Sequence, residues 1–311
     1  MSKVIRASVL GCCMGVRRAI KAAENALTDY ADCEVYSLGP LIHNKTALEP
    51  LYERGLSLLD PASLKTICGE PRNAENQHNP EQKKRVAIIR AHGVSPDVRK
   101  RLQNAGIRIE DATCPRVLVN QKRVSDYAAQ KYTIIIAGDK SHGEVAALVG
   151  EAVQEDAEYV IVQNEADAQL LAQSEGFADS RAILISQTTA GLEEYEAIRR
   201  ILCAANPSIK VFDTICPATK ERQDALKELC DKVDGVIVVG GKNSANTKRL
   251  FQTAKELCPH AAHIETPDEI PEEFFRLGVV GITAGASTPD DVIRGVENRL
   301  LKNGLTKKDG E

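Results

Sequence analysis

The chain has 311 residues, a formal net charge of −4 and a hydrophobic content of 43%. This length allows two or three domains, and the composition is that of an ordinary globular protein. The slightly acidic balance argues against nucleic acid or an anionic membrane surface as the main partner. No apolar run reaches the roughly 18 residues of a membrane-spanning helix. Nine cysteines without a secretory signal indicate a reducing compartment, so we expect a cytoplasmic protein.

Short, continuously apolar runs alternate with helical patterns along the chain. Such runs predict strands that are buried on both faces of a parallel sheet. Helical periodicity follows Cys13 and Cys216, where apolar residues recur every three or four positions. The alternation predicts an α/β fold with mostly parallel sheets. The predicted strands are Val86–Ile89, Thr133–Ala137, Tyr159–Val162, Ala182–Ile185, Val236–Val239 and Gly278–Ile282.

Three cysteines recur at nearly constant spacing and indicate a threefold internal repeat. From Cys13 to Cys114 is 101 residues, and from Cys114 to Cys216 is 102 residues. We therefore predict three similar α/β domains. Sites in such folds lie beyond the carboxyl ends of the strands, so one thiol from each repeat would face a common cleft. The predicted domains comprise residues 1–110, 111–212 and 213–311.

Polar side chains recur at the predicted strand ends in phase with the cysteines. One set is spaced by 99 and 102 residues, and a second by 96 and 99 residues. Helix N-termini follow both sets, and their backbone N–H groups would add to an anion pocket suited to phosphate or diphosphate. Alternatively, the Ser, Thr and Asn residues are helix N-caps. The first set is His43, His142 and Ser244, with Asn246 beside it, and the second is His92, Thr188 and Ser287.

Glu144, two residues after His142, is the only carboxylate within these sequence motifs. A carboxyl group at a buried redox centre is a candidate proton donor. A glutamate in the first turn of a helix is equally compatible with a solvated position that the helix dipole stabilises. The sequence leaves both interpretations open.

Three cysteine ligands favour zinc or an iron–sulfur cluster. Structural zinc sites usually take ligands in close pairs such as C-x2-C, and the sequence has no such pair. A cubane spreads its ligands over several ångströms, which suits one cysteine per domain, and it would leave one iron open as a Lewis acid. Cys12 competes with Cys13 for the first ligand position, and the repeat phase favours Cys13. The remaining cysteines fit buried apolar positions.

Nine motifs occur in one order between about Val9 and Leu300. They are Gly11–Val16, Ile42–Asn44, Ala91–Ser95, Asp111–Pro115, His142–Val145, Gln187–Thr189, Ile215–Cys216, Lys242–Asn246 and Thr283–Asp290. Together they resemble the 4-hydroxy-3-methylbut-2-enyl diphosphate reductase family. This family catalyses the last step of the methylerythritol phosphate route to isoprenoids.

The resemblance implies a trefoil of three α/β domains around a [4Fe–4S] cluster. It implies reductive removal of the substrate hydroxyl, with ferredoxin or flavodoxin as electron donor, to give isopentenyl and dimethylallyl diphosphates. The implied cluster ligands are Cys13, Cys114 and Cys216. The residues implied to hold the diphosphate are His43, His92, Ser244, Asn246 and Ser287. Those implied to surround the hydroxyl are His142, Thr188 and Glu144, with Glu144 supplying protons.

Several features depart from the family pattern. Cys12 and Met14 stand where the family usually has Phe and Ala, and Ala245 replaces a serine of the diphosphate site. The polar insertion Gly69–Lys84 is longer than expected. None of these changes removes a predicted ligand. Two other functions stay open as alternatives: a cluster dehydratase like quinolinate synthase, and a non-enzymatic iron–sulfur sensor.

Overall fold

The computed structural model describes residues 3–42, 44–60, 63, 64, 67, 84–304, 306 and 307. His43, and the predicted insertion apart from Lys84, lie outside the described residues. Within the described ranges the chain forms ten α-helices and thirteen strands, and every strand pair is parallel. The predicted α/β class with parallel sheets is therefore confirmed.

The bounds of these elements agree closely with the sequence patterns, and all six predicted strands are found within two residues of their predicted ends. The helices are α1 (Met14–Asp29), α2 (Lys45–Glu53), α3 (Pro96–Asn104), α4 (Pro115–Ala128), α5 (Gly143–Gln154), α6 (Glu165–Ala172), α7 (Leu192–Ala205), α8 (Pro217–Cys230), α9 (Ala245–Leu257) and α10 (Asp290–Lys302). The strands are β1 (Lys3–Arg6), β2 (Glu34–Leu38), β3 (Leu56–Leu59), β4 (Arg85–Ile89), β5 (Arg108–Asp111), β6 (Thr133–Ala137), β7 (Tyr159–Val162), β8 (Ala182–Ser186), β9 (Lys210–Val211), β10 (Gly235–Val239), β11 (His260–Ile264), β12 (Val279–Ala284) and β13 (Thr306–Lys307).

One compact unit comprises the described residues of Met1–Arg17, Ile42–Pro50 and Pro217–Glu311. It holds a five-stranded sheet in the order β11-β10-β12-β1-β13. Alternate residues of β10 belong to different apolar clusters, because successive side chains of a strand point to opposite faces. Both faces of this sheet are consequently buried, which explains why β10 reads as an uninterrupted apolar run.

The other compact unit comprises the described residues of Arg18–Leu41 and Leu51–Cys216. It contains two four-stranded sheets, in the orders β3-β2-β4-β5 and β7-β6-β8-β9. In β6, Ile134 and Ile136 pack on one face, while Ile135 and Ala137 pack on the other. The two sheets have the same strand order, as expected for copies of one repeat.

The first strand of the chain belongs to the last sheet. Residues 1–110 were predicted to form the first domain, yet β1 pairs with β12, with Lys3 opposite Val279 and Arg6 opposite Ile282. In the first sheet, β5 is the fourth strand in the order. In the third sheet, β1 occupies this fourth position. With β1 included, the third sheet repeats the order of the other two and adds β13 at its edge.

No helix in the described part of the chain is long and apolar enough to cross a membrane.

Candidate functional site

The three predicted cysteine ligands occupy equivalent places in the three sheets. Each follows the fourth strand of a sheet and directly precedes a helix, which is α1, α4 or α8. Each cysteine N–H donates to a carbonyl two residues beyond the end of the third strand. The bonds are Cys13 N–H to Ala286 O (3.1 Å), Cys114 N–H to Ala91 O (3.0 Å) and Cys216 N–H to Thr188 O (2.7 Å). The repeat that the spacing predicts is therefore also present in the hydrogen bonding.

Different side chains hold the loops before Cys114 and Cys216. Asp111 accepts a hydrogen bond from the Thr113 N–H at 2.9 Å and pairs with Arg99. Partial burial acts to raise the pKa of the Asp111 carboxyl. Hydrogen bonds from Thr113 and Arg99, together with the charge of Arg99, outweigh it and lower that pKa. In the other loop, the buried Thr214 hydroxyl accepts from the Ser186 N–H at 2.7 Å and donates to the Ser186 carbonyl at 2.9 Å. The first loop is thus fixed to the end of its own strand and to α3, and the second loop is fixed to the end of the neighbouring strand β8.

Two arginines hold the loop that carries Cys13. Arg17 donates from Nε to the Cys12 carbonyl at 3.0 Å and forms an exposed ion pair with Asp290. Arg222, which is buried, donates to the Gly11 carbonyl at 2.6 Å. Gly11 has φ +76°, a left-handed conformation that favours glycine. The loop is consequently held by cationic donors on consecutive carbonyls.

Cys12 and Cys13 differ in their surroundings. Cys12 is buried, and desolvation raises the pKa of its thiol to about 12 against the opposing effects of Arg17 and Arg222. Cys13 is partly exposed, and its N–H makes the bond that Cys114 and Cys216 also make. The structure therefore gives Cys13, and not Cys12, the position equivalent to the other two cysteines.

The cysteines outside this repeat show mixed burial. Cys230 and Cys258 are buried in the apolar cluster beneath α8 and α9, as predicted. Cys33 and Cys203 are partly exposed. Cys68 lies outside the described residues.

Glu144 is completely buried in the first turn of α5, with 0% of its surface exposed. Its carboxylate accepts two hydrogen bonds from Thr188, from the backbone N–H at 2.9 Å and from the hydroxyl at 2.8 Å. Burial raises the pKa of Glu144 to about 7, although both bonds act to lower it. The solvated alternative for Glu144 is therefore wrong, and the carboxyl group can hold or release a proton near neutral pH.

His142 caps the helix that carries Glu144. Its Nδ1 accepts the Glu144 N–H at 3.2 Å, so Nε2 is the ring nitrogen that carries the proton. The ring also contacts His92 edge to face, with 4.7 Å between the centroids. His92, His142, Glu144 and Thr188 consequently form one connected group within a single compact unit.

Thr188 links this group to a cysteine. Its N–H and hydroxyl donate to Glu144, while its carbonyl accepts the Cys216 N–H at 2.7 Å. The hydrogen bonds from the three cysteine N–H groups also correct the predicted alignment of the repeats. Their acceptors, Ala91, Thr188 and Ala286, are the equivalent residues. Thr188 therefore lies one position before the residue that matches His92 and Ser287. The segments between each cysteine and the third strand of its repeat differ by a few residues in length, which the spacing alone does not resolve.

The predicted diphosphate residues of the other unit are buried and polar. Ser244 is the N-cap of α9 and accepts from the Thr247 N–H at 3.4 Å, so the capping interpretation is confirmed for this residue. Asn246 Nδ2 and Ser287 Oγ are buried, and no described residue is their hydrogen-bond partner. The hydroxyl groups of Thr247 and Thr283 are also buried without a hydrogen-bond partner among the described residues. Buried donors without partners are uncommon in proteins and suit a site that a polar ligand completes.

Two functional candidates were missed by the sequence patterns. Arg90 is mostly buried, its Nε has no partner among the described residues, and desolvation lowers its pKa. Its guanidinium lies against Gly143, next to His142. Arg222 is the second. A signal for it existed, because Arg222 precedes the buried Leu226 and Leu229 of α8 by four and seven residues and so lies on the apolar face.

The three cysteines fit an iron–sulfur cluster by their chemistry. Thiolate sulfur is the ligand that such clusters prefer, and each cysteine directly precedes a helix N-terminus, where negative charge is favoured. No three Cys, His, Asp or Glu side chains of the described residues converge closely enough to hold a single metal ion. A cubane has no need of such convergence, since each cysteine binds a different iron.

Comparisons with known proteins identify the family of this chain. A profile of the LytB protein family matches residues 4–301. A 4-hydroxy-3-methylbut-2-enyl diphosphate reductase of Treponema denticola is 41% identical over 302 residues, which cover 96% of this chain and 99% of the relative. A solved structure of (E)-4-hydroxy-3-methyl-but-2-enyl diphosphate reductase, described as the terminal enzyme of the non-mevalonate pathway, is 34% identical with a TM-score of 0.69. It covers 97% of this chain and 100% of its own.

A second solved structure is similar over almost the whole chain. It is the E-1-hydroxy-2-methyl-but-2-enyl-4-diphosphate reductase of Plasmodium falciparum, with 26% identity and a TM-score of 0.83. The alignment covers 99% of this chain and 92% of the Plasmodium chain.

Proposed function

The chain belongs to the LytB family, whose enzymes are iron–sulfur proteins, and on this premise we propose that it is a 4-hydroxy-3-methylbut-2-enyl diphosphate reductase. The reaction is the reductive dehydroxylation of the allylic diphosphate to isopentenyl and dimethylallyl diphosphates. We propose a [4Fe–4S] cluster with Cys13, Cys114 and Cys216 as its ligands, and a ferredoxin or flavodoxin as the electron donor. The predicted division at residues 110 and 212 is retained as part of this proposal, except that strand β1 is assigned to the third repeat because it pairs with β12.

The observation that carries the proposal is the position of Thr188. One residue accepts a hydrogen bond from the proposed ligand Cys216 and donates two to the buried carboxyl group of Glu144. A proton source is thereby attached to the backbone of a proposed cluster loop. A reductase that removes a hydroxyl group needs this pairing, because electrons and protons must reach the same bond.

Atoms and charges balance with two electrons and two protons. The allylic C–O bond breaks, one proton leaves with the hydroxyl oxygen as water, and one proton joins the allylic carbon skeleton. When bound, the cluster would supply the electrons and an iron that acts as a Lewis acid. Hydroxide is a poor leaving group, so protonation by a nearby acid accelerates the step.

The side chains of this protein have distinct proposed tasks. Glu144, with a pKa of about 7, is protonated in a useful fraction at neutral pH and can donate its proton. Thr188 orients that carboxyl group, and His142, whose Nδ1 accepts the Glu144 N–H, is assigned a place beside the substrate hydroxyl. Burial of Glu144 and Thr188 also keeps bulk water from the reacting bond.

The diphosphate requires donors and positive charge, and we propose that His43, His92, Ser244, Asn246 and Ser287 provide them. Asn246 Nδ2 and Ser287 Oγ support this assignment, because they are buried without a partner among the described residues. Hydrogen bonds to a charged ligand are among the strongest in proteins.

The alternatives receive no comparable support. A cluster dehydratase like quinolinate synthase or an iron–sulfur sensor would not require the buried Glu144–Thr188 pair. The family and its relatives are those of the reductase.

Anaerobic purification with iron and sulfide analysis, followed by turnover of the allylic diphosphate with a chemical reductant, tests the proposal. Cys13→Ser, Cys114→Ser and Cys216→Ser should each sharply reduce the cluster content. Cys12→Ser is the matched control and should retain most of the cluster. The Cys12 thiol is buried, and it is the N–H of Cys13 that makes the backbone hydrogen bond equivalent to those of Cys114 and Cys216. A wild-type protein that binds no cluster or does not turn over the substrate would refute the function. Loss of the cluster in Cys12→Ser but not in Cys13→Ser would refute the ligand assignment.

A further inference from the structure

Arg222 is an unusual residue to find buried. It lies in the second turn of α8 and is 3% exposed, whereas arginine side chains are mostly exposed in folded proteins. Removing a guanidinium from water is costly unless its donors are satisfied. A buried arginine therefore indicates that the surrounding structure uses its hydrogen bonds, its charge or both.

The guanidinium donates to two backbone carbonyls. NH1 bonds to Ala218 O and NH2 to Gly11 O, both at 2.6 Å. Ala218 lies two residues after Cys216 along the chain, and Gly11 lies two residues before Cys13. The planar guanidinium presents its donors in a rigid fork, so the two carbonyls are held at a fixed separation. Lysine, with a single ammonium group on a flexible stem, has no such fork.

The positive charge of Arg222 also reaches the cysteine loop. The buried guanidinium donates to the Gly11 carbonyl, two residues before Cys13, so its charge lies against this loop. Arg17 is exposed, so water and salt screen much of its charge. Arg222 is buried, and its charge is screened far less.

We propose that Arg222 is a positioning residue for the cluster, holding the loop that carries Cys13 at Gly11 against Ala218 of α8 and placing a buried positive charge beside that loop. This inference rests on the proposed function, because it takes Cys13 and Cys216 as cluster ligands. Nearby charge and hydrogen bonds set the reduction potentials of iron–sulfur clusters. A buried cation stabilises the more negative, reduced form of the cluster and so raises its potential.

Two substitutions separate the two tasks of Arg222. Arg222→Met removes both the fork and the charge, and Arg222→Lys keeps the charge but cannot bridge both carbonyls. Lys227→Met is the matched control, because Lys227 is an exposed cation in the last turn of the same helix. All three variants and the wild type would be reconstituted anaerobically as full-length protein. The measurements are the midpoint potential of the cluster, the rate of cluster loss to an iron chelator, and thermal unfolding before reconstitution.

We expect Arg222→Met to lose its cluster about 10- to 100-fold faster than the wild type, the usual effect of removing a residue that supports metal ligands. Its midpoint potential should move to a more negative value. Arg222→Lys should also lose the cluster faster, but with a potential close to that of the wild type. Lys227→Met should match the wild type in both measurements.

Wild-type potential and wild-type cluster loss in Arg222→Met would overturn the inference. Should Arg222→Met fail to fold, Arg222→Lys decides, and cluster loss at the wild-type rate would then overturn it. A role in folding alone would lower the unfolding temperature of the unreconstituted protein without moving the potential, which also contradicts the inference. A wild type that takes up no cluster refutes the proposed function instead, so the two failures are distinguishable.

Discussion

Glu144 shows how a single residue obtains a pKa suited to proton transfer. An exposed glutamate is ionised at neutral pH and has no proton to give. Complete burial disfavours the charged form, whereas the two bonds from Thr188 favour it. The balance leaves the pKa of Glu144 at about 7, well above the ordinary value of 4.5. A general acid is most effective when its pKa lies near the working pH.

Replacement of Glu144 by glutamine tests its role as proton donor. Glutamine keeps the size and can still hydrogen bond with Thr188, but it has no proton to transfer. Turnover of Glu144→Gln should be at least about 100-fold slower, the low end of the effect of general acid catalysis. Single-turnover kinetics with the reconstituted enzyme measure this change. Near-normal turnover with a full cluster would exclude Glu144 from the mechanism.

The same residue predicts how stability depends on pH. The pKa of Glu144 is higher in the folded chain than in the unfolded chain, so the folded state binds more protons between about pH 4.5 and 7. The free energy of unfolding should therefore fall as pH rises through this window, by up to about 3 kcal/mol. Glu144→Gln should lack this loss and be more stable than the wild type above pH 7. Urea unfolding of the protein without its cluster at pH 5 and pH 8 measures the difference.

Thr188 provides a third test at the residue scale. Thr188→Val removes the hydroxyl that donates to Glu144 and keeps the backbone N–H bond. With one donor fewer, the pKa of Glu144 should rise, and the fall in turnover at alkaline pH should move to higher pH. The pH–rate profile checks this shift, with Thr28→Val as control because its hydroxyl is exposed and bonds only to the Glu24 carbonyl and Arg54. An unmoved profile would mean that Thr188 does not set the pKa.

At the scale of elements, neighbouring side chains crowd the backbone at the end of β10. Gly240 follows β10 with φ +147°, and a Cβ atom there would lie 2.6 Å from the Thr288 hydroxyl and 3.0 Å from that of Thr247. Both threonines are fully buried. The glycine therefore allows the strand to end beside the proposed diphosphate residues without displacing them.

Gly240→Ala should lower the free energy of unfolding by about 1–3 kcal/mol, the usual cost of a residue held in an unfavourable backbone conformation, and more if Thr288 cannot shift. Gly55→Ala is the matched control, since Gly55 also has positive φ but no atom lies within 4 Å of a Cβ there. Urea unfolding compares the two. Diphosphate affinity should fall only in Gly240→Ala, and equal effects of the two substitutions on unfolding and affinity would contradict this account.

Six of the thirteen described strands could be predicted from sequence, because each of the six contains a short apolar run. Buried parallel strands read as apolar runs, and the spacing of Cys13, Cys114 and Cys216 identified the equivalent loops. The register of Thr188 could not be predicted, because the segments between each cysteine and the third strand of its repeat differ in length and shift the phase. Burial of Glu144 was also beyond the sequence, since a first-turn glutamate looks the same whether or not a distant segment such as the Thr188 loop covers it. Arg222 was missed because arginine is ordinarily taken for a surface residue.

At the scale of the whole molecule, the pairing of β1 was the least predictable feature. Four residues, Lys3–Arg6, align with Val279–Ile282, and nothing local in either segment encodes that partner. The sheets of the other unit join strands that lie much closer in sequence, such as β6 with β8. Because contacts between distant segments cost more loop-closure entropy, the sheet that contains β1 should form last.

Pulse-labelling hydrogen exchange during refolding tests this order. The amide groups of β6 and β8 should become protected before those of β1, since β1 must wait for β12. Mass spectrometry of the labelled peptides resolves the strands. Protection of β1 at the same time as β6 would show that distance along the chain does not govern the order.

The place of β1 has a consequence for the protein during its synthesis. A ribosome releases Lys3–Arg6 about 276 residues before their partners, which corresponds to roughly 15–55 seconds at 5–20 residues per second. Throughout that time the segment with Cys12 and Cys13 has neither the strand nor the Ala286 carbonyl that hold it in the finished protein. In a nascent chain, Cys114 and Cys216 can therefore lie in folded surroundings before the backbone of Cys13 is held by its hydrogen bond to Ala286. Under the proposed ligation, iron and sulfide would meet a complete set of three held thiols only after Ala286 has been synthesised.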